Sequence, residues 1–355
     1  MNPNTPLSPC PLPVTSDDRQ RVLSTAQLKG HGVSPAQAAE QCRTGGPWQQ
    51  PLPGVFVLHP GPLSSRERLR SALLYAGRPA ASGRRTVPAQ AGATDPGYGA
   101  AMITGLAALS LYGFAAAPPA VSTDRIDVLV PRIRRLRSAR YARLVRSSEL
   151  PRPEQLDGIP VAPVARALAD AVAGLGDAHA VRRLLTEAVR GGHCEPAVVV
   201  GELNRAKVLD RPQVVNAVDS LLAEGRALAE ERLYDMVRTH ALPEPLWNVD
   251  LRLPGGPHLG AVDAYWPEEA VAVELDTRAP RHSRLDDDHR QEEHEAEWSA
   301  YAARREHLER LGVTVVHLTP RKLRDTREQQ AVVVRTALMA AADREPAAYV
   351  MILPR

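Results

Sequence analysis

The sequence predicts an α+β protein of several domains, and three observations support this fold class. At 355 residues the chain is long enough for roughly two or three separate domains. Residues 160–224 carry leucine and alanine at the three- and four-residue intervals of helices. Between residues 246 and 276 apolar and polar residues alternate instead, which is the spacing of strands.

The composition limits the classes of protein that fit. A net charge of +3 permits nucleic-acid binding through local patches without arguing for it. Cys10, Cys42 and Cys194 lie far apart and match no zinc or disulfide spacing, which indicates a reducing compartment. No apolar run approaches the roughly 18 residues of a membrane span, and the amino terminus lacks a signal pattern. We therefore expect a cytoplasmic protein with no membrane partner.

Residues 17–62 follow a proline-rich segment, residues 1–16, that we expect to be a disordered tail. Ser24 suits the N-cap of a first short helix, and Ser34, with proline after it, suits that of a second. A glycine pair and a hairpin with the apolar strand 55–58 come next. This is the outline of a winged helix-turn-helix. An ordinary helical cap fits the same outline.

The second short helix is the one that would read DNA. Ser34, Gln37, Gln41 and the following Arg43 are therefore candidate DNA contacts, since amide side chains and arginine bond to base edges and phosphates. The helix also carries Glu40 and has no lysine or arginine of its own. That lack of positive charge favours the alternative, a helical unit that does not bind DNA, because phosphate contacts need cations.

Residues 63–224 are predicted to be a middle α/β-helical region. We expect helices at Arg66–Ala76 and Ile103–Leu111, a strand at Ile126–Val130, and a flexible loop over residues 77–98.

A basic run follows that strand, from Arg132 to Arg143. Such a run usually indicates a solvated loop. Because it borders a strand-like segment, Tyr141–Arg146, a patch that binds phosphates through Arg134 and Arg135 is the alternative.

The acids of residues 225–355 are the most informative feature. A helix near Arg226–His240 places Glu230 on one stripe with Leu233 and Val237, so Glu230 turns toward a core. A carboxylate in that place is costly unless it is paired or binds a metal.

Further along the chain, two predicted strands carry more acidic residues. Asp263 lies in a strand that a short turn joins to the strand Ala270–Asp276, where Glu274 and Asp276 share one face. Acids gathered on one sheet face repel one another unless protons or a cation compensate, and Mg²⁺ prefers oxygen ligands. The pattern predicts that protons or a divalent cation such as Mg²⁺ compensate Asp263, Glu274 and Asp276. A polar sheet face exposed to solvent is the alternative.

Asp263, followed after a hairpin by Glu274-Leu275-Asp276, resembles the core of the PD-(D/E)XK superfamily, above all the domains related to very-short-patch-repair endonucleases. The resemblance implies a restriction-endonuclease-like α/β domain with a mixed central sheet, and a Mg²⁺- or Mn²⁺-dependent DNA endonuclease activity. Glu230 corresponds to the family's helix glutamate, and Glu230, Asp263 and Glu274 would hold the metal. Asp276 or His282 would position water. Classical members have lysine where this chain has Asp276. Arg305, on the next predicted helix, is a further candidate DNA contact.

The amino-terminal part resembles the winged helix of AbiEi-family antitoxins, on the segments Ser24–Leu28, Gly32-Val33-Ser34, Trp48 and Pro53–Gly61. Actinobacterial chains often join that domain to the nuclease-like one. The resemblance implies a transcriptional regulator or antitoxin that binds double-stranded DNA, with a nucleotidyltransferase-like toxin as a candidate partner. A metal-dependent endonuclease and a protein that neutralises a toxin by contact alone stay open as alternatives.

Overall fold

The chain is a mixed α+β protein, as the sequence predicts, and it divides into two compact units. The first comprises Met1–Ala188 with Glu202–Ala217, and the second Val189–Gly201 with Val218–Arg355. Within the residues described below, no helix is long and apolar enough to cross a membrane. The computed structural model describes residues 21–78, 97–119, 122–277, 302–342 and 349–354.

The first unit begins with a three-stranded sheet and two short helices. The antiparallel strand order is β1-β3-β2. Ser24 and Ser34 cap the two helices as predicted, and each accepts a hydrogen bond from the backbone N–H three residues on. The three-residue strand β1 was not predicted. The elements are β1 (Val22–Ser24), α1 (Thr25–Gly30), α2 (Pro35–Gln41), β2 (Gln49–Leu52) and β3 (Val55–Val57).

A five-stranded sheet of order β6-β5-β4-β8-β7 follows in the same unit. β5 and β6 run parallel, as do β4 and β8. The helix predicted at Ile103–Leu111 is partly wrong: it begins at Gly105, because Ile103 and Thr104 pair with β5 as strand residues. The strands are β4 (Met102–Thr104), β5 (Ile126–Pro131), β6 (Ala142–Ser147), β7 (Glu154–Leu156) and β8 (Ile159–Val161).

Helices account for most of residues 160–224, as predicted. The helix expected at Arg66–Ala76 is also present, and its leucines Leu69 and Leu73 are fully buried. The helices are α3 (Ser65–Gly77), α4 (Gly105–Leu111), α5 (Val164–Gly174), α6 (Ala178–Arg190), α7 (Pro196–Arg205) and α8 (Pro212–Thr239).

The second unit contains a mixed sheet of order β12-β11-β10-β9-β13. β11 and β12 run parallel, and the other neighbours are antiparallel. Along the chain, α8 precedes three strands, and a further helix precedes β12. The elements after α8 are β9 (Leu246–Arg252), β10 (His258–Trp266), β11 (Val271–Leu275), helical residues 302–310 (α9), β12 (Thr314–Leu318), α10 (Pro320–Asp325), α11 (Arg327–Ala341) and β13 (Met351–Pro354).

Strand β11 is buried on both faces. Val273 and Leu275 pack into a core cluster that includes Leu233 of α8. Ala272 packs into a second cluster, which includes Leu308 of α9. The alternative of a solvent-exposed polar face is therefore wrong for this strand, because helices cover both sides of it.

Candidate functional site

Asp263 and Glu274 lie at neighbouring positions of β10 and β11. Ala264 pairs with Val273, so Asp263 and Glu274 are the next two residues in the same antiparallel register. Both are buried, with exposed fractions of 8% and 9%. We call these two acids and the groups that contact them the carboxylate face. Each acid has to be compensated locally, because a buried charge without a partner is strongly destabilising.

Both oxygens of Asp263 accept hydrogen bonds. Oδ1 accepts from Nη2 of Arg226, on α8, at 2.7 Å. Oδ2 accepts from the backbone N–H of Leu275 at 2.6 Å. A guanidinium and a backbone dipole thus stabilise the ionised form of this acid.

Glu274 contacts an arginine and a histidine. Its Oε1 accepts from Nη2 of Arg304, on α9, at 2.5 Å. Its Oε2 lies 3.6 Å from Nδ1 of His317, which is the paired residue on the parallel strand β12. This second buried acid therefore also bonds to a guanidinium.

Arg304 is held in place by the backbone of β10. Its Nε donates to the carbonyl of Leu259 at 2.9 Å, and its Nη2 donates to that of Ala261 at 2.7 Å. Gly260, between them, has a φ of +117° at an irregularity in the strand register. A Cβ at this position would lie 2.4 Å from Nε of Arg304. Only glycine gives both this backbone conformation and this space.

Glu230 and Asp276 lie near the edges of this arrangement. Leu233 and Val237 are buried as predicted, while Glu230 is half-buried and accepts from Nε of Arg226 at 2.8 Å. Asp276 comes directly after β11, and its backbone N–H donates to the carbonyl of Leu318 at 2.8 Å. His282 lies outside the described residues.

The described residues do not fit Mg²⁺ in this arrangement. Asp263, Glu274 and Glu230, the predicted ligands, each bond to a guanidinium, which would repel a metal ion placed beside it. Over the described ranges, no group of three or more His, Cys, Asp or Glu side chains could hold a metal. Because His282 and its surroundings lie outside those ranges, the Mg²⁺ expectation stays a prediction.

Helix α2 is the second candidate site, and it lies almost entirely on the surface. Among its residues only Ala38 is buried. Ser34 and Gln37 form a reciprocal cap, in which Oε1 of Gln37 accepts from the N–H of Ser34 at 2.8 Å. Arg43 has a side chain 74% exposed and contacts Glu40 at 2.6 Å. Gln41 is half-buried.

The arginines of the basic run have different surroundings. Arg134 is half-buried and donates to the carbonyls of Ala76 and Arg78. Burial, and then the charge of Arg78, lower the pKa of Arg134. Arg140 donates to the carbonyls of Gln50 and Pro51 at 2.5 and 2.7 Å. Arg134 and Arg140 both bond to backbone carbonyls, although Arg140, like Arg135, is exposed. The phosphate contacts predicted for Arg134 and Arg135 stay predictions.

Sequence reasoning did not find Arg226, Arg304 or His317. Arg226 precedes Glu230 by four residues on one helix, and this spacing was a usable signal for an ion pair. Gly260 inside a strand was a second signal, because such a glycine often marks a close approach by another group. Arg305, the predicted DNA contact, pairs with Glu309 at 2.8 Å on the exposed side of α9.

Comparisons with known proteins give no assignment. No family model and no curated protein matches the chain. The resemblances to AbiEi antitoxins and to PD-(D/E)XK nucleases therefore stay predictions.

Proposed function

We propose that the protein is a DNA-binding regulator of the AbiEi antitoxin type, whose first unit contacts double-stranded DNA through helix α2. The observation that carries the proposal is the arrangement of residues 22–57. Two short helices lie along the chain between β1 and the hairpin β2–β3, and β3 lies between β1 and β2 in one sheet. This is the arrangement expected of a winged helix-turn-helix, whose second helix enters the major groove.

The surface of α2 supports this role. The turn before it contains Gly32, whose φ of +81° suits the glycine of a helix-turn-helix. Gln41 is an amide side chain of the kind that bonds to adenine edges, whereas Oε1 of Gln37 accepts from the N–H of Ser34 in the cap. Arg43 is the cation that follows them and can exchange Glu40 for a phosphate, because an exposed pair is weakly held.

Fluorescence anisotropy of the full chain with labelled duplexes tests the proposal. We expect a duplex from its own promoter to bind more tightly than a random duplex of equal length. Arg43→Ala should weaken binding and reduce the salt slope by about one phosphate contact. Arg310→Ala is the matched control, because Arg310 is also exposed and also pairs with a glutamate on its own helix, Glu306. It should leave the affinity unchanged.

Two results would contradict the proposal. Equal affinity for the promoter and random duplexes would remove sequence-specific recognition. Equal loss of affinity in the Arg43 and Arg310 variants would remove α2 as the DNA-contacting element.

A metal-dependent endonuclease is the second candidate. What favours it is the order α8, β9-β10-β11, α9, β12 in a mixed sheet, with Asp263 next to Glu274 in register. Nicking of supercoiled plasmid in Mg²⁺ or Mn²⁺ that disappears in Asp263→Asn would establish it. Absence of nicking by folded wild-type protein would leave the regulator.

The toxin partner belongs to the same proposal and needs its own test. Co-expression with the product of the adjacent reading frame should relieve growth inhibition by that product if it is the expected nucleotidyltransferase-like toxin. Relief that survives Arg43→Ala would favour neutralisation by contact over repression through DNA.

A further inference from the structure

We infer that Arg226 and Arg304 are the permanent cations of the carboxylate face, and that they hold Asp263 and Glu274 closed to divalent metal ions. The inference goes beyond the proposed function, since it concerns the second unit and needs no DNA. The acids are of the type that binds a metal, but a guanidinium contacts each of them.

Each of the two buried acids bonds to a guanidinium. Asp263 bonds to Arg226 at 2.7 Å, and Glu274 bonds to Arg304 at 2.5 Å. Neighbouring buried carboxylates recruit a divalent cation when nothing else offsets their repulsion. Here the chain supplies that positive charge itself.

The position of Arg304 is built into the fold. Its guanidinium bonds to two carbonyls of β10 as well as to Glu274. The backbone of Gly260 adopts a conformation that side chains rarely allow, and any Cβ there would overlap the guanidinium. Such a close fit fixes the planar donor fork, and the side chain of Arg304 is therefore held against strand β10.

Arg226 also bonds to Glu230, which is the third predicted metal ligand. Its Nε bonds to Glu230 at 2.8 Å while its Nη2 bonds to Asp263. One guanidinium thus bridges Glu230 of α8 and Asp263 of β10. All three predicted metal ligands are bonded to arginine.

Mn²⁺ binding by the full-length chain, followed by electron paramagnetic resonance and calorimetry, tests the inference without DNA. Asp263→Asn combined with Glu274→Gln removes the acids and accounts for any Mn²⁺ held elsewhere in the chain. We expect this double variant to give the same Mn²⁺ binding isotherm as the wild type. Arg226→Met combined with Arg304→Met should gain a Mn²⁺ site, and adding the two acid substitutions should abolish the gain.

A glycine variant provides an independent route to the same result. Gly260→Ala should displace Arg304 without changing any charge, and we expect it to gain Mn²⁺ binding that Glu274→Gln removes. Gly201→Ala is its control, because a Cβ at Gly201 meets no atom within 4 Å. This control should bind Mn²⁺ as the wild type does.

A wild-type Mn²⁺ isotherm that weakens when the two acids are replaced would overturn the inference. So would a folded double-arginine variant, verified by circular dichroism, that gains no Mn²⁺. If that variant does not fold, the wild-type and Gly260→Ala isotherms decide the question. Either result leaves the DNA-binding proposal standing, since that proposal is tested on the first unit.

Discussion

Helix α2 and the carboxylate face each contain an arginine–glutamate pair, and the two pairs differ mainly in their surroundings. Arg43 lies 2.6 Å from Glu40, and Arg304 lies 2.5 Å from Glu274. The first pair is exposed to water and contributes about 0–1 kcal/mol, whereas breaking a buried pair costs about 3–5 kcal/mol. Although the distances are similar, Arg43 can exchange Glu40 for a ligand, whereas Glu274 is buried and depends on Arg304.

Asp263→Ala should break this comparison most clearly. The change leaves Arg226 without its buried partner and the N–H of Leu275 without its acceptor. Arg226 is 44% exposed and keeps Glu230 as a partner, so the unsatisfied N–H of Leu275 is the main cost, and we expect the free energy of unfolding to fall by about 1–3 kcal/mol. Urea denaturation followed by circular dichroism measures the loss.

Asp263→Asn is the matched control for that experiment. Its side-chain oxygen can still accept from Leu275, so we expect a smaller loss than for alanine. If the alanine variant lost less than about 1 kcal/mol, as exposed pairs do, the buried and exposed pairs would not differ as argued.

Ser34→Ala should have a smaller effect, on the exposed side of the comparison. Helix α2 buries only Ala38, so its stability depends strongly on the Ser34 cap. Loss of a serine N-cap costs about 1 kcal/mol. We expect faster amide hydrogen exchange over residues 35–41.

Ser24→Ala is the control for the cap, because it removes the same kind of capping box from α1. Its effect on exchange should be largest over residues 25–30. If both variants accelerated exchange equally over α1 and α2, the two helices would open together and α2 would not be an independently exposed element.

Glu67 should give the smallest effect and sharpens the comparison, since it is buried like Asp263 but contacts a histidine. Burial by itself raises the pKa of Glu67, and hydrogen bonds from Ser64 and His59 outweigh it and lower the pKa below the ordinary value of 4.5. Its stabilising contribution is therefore present above about pH 4.5 and is lost as the pH falls through the lowered value.

Thermal unfolding from neutral pH to about pH 3 tests this carboxylate. Glu67→Gln should be less stable than the wild type at neutral pH, with a difference that shrinks as the acid becomes protonated. Glu149→Gln, at an exposed glutamate of the same unit, should show no such change. A pH-independent difference for Glu67→Gln would mean that its contacts do not depend on the charge.

Local patterns were sufficient for most of the elements. Ser24 and Ser34 marked the two helix starts because an N-cap acts on the N–H three residues away. Alternation of apolar and polar residues predicted the strands β9 and β11. The helix predicted at Ile103–Leu111 was wrong at Ile103 and Thr104, because these residues pair with β5 as a strand. Alternation did not show that β11 is covered on both faces, since that depends on distant helices.

The sequence by itself determined that Asp263 and Glu274 lie on adjacent strands, because the strand period and the short turn between them fix the register. The tertiary structure alone decided which cations face them. Arg226 lies 37 residues from Asp263 and Arg304 lies 30 residues from Glu274 in the chain, so no local period relates them. Their positions follow from how α8 and α9 pack on the sheet, and this packing gives the acids their arginine partners.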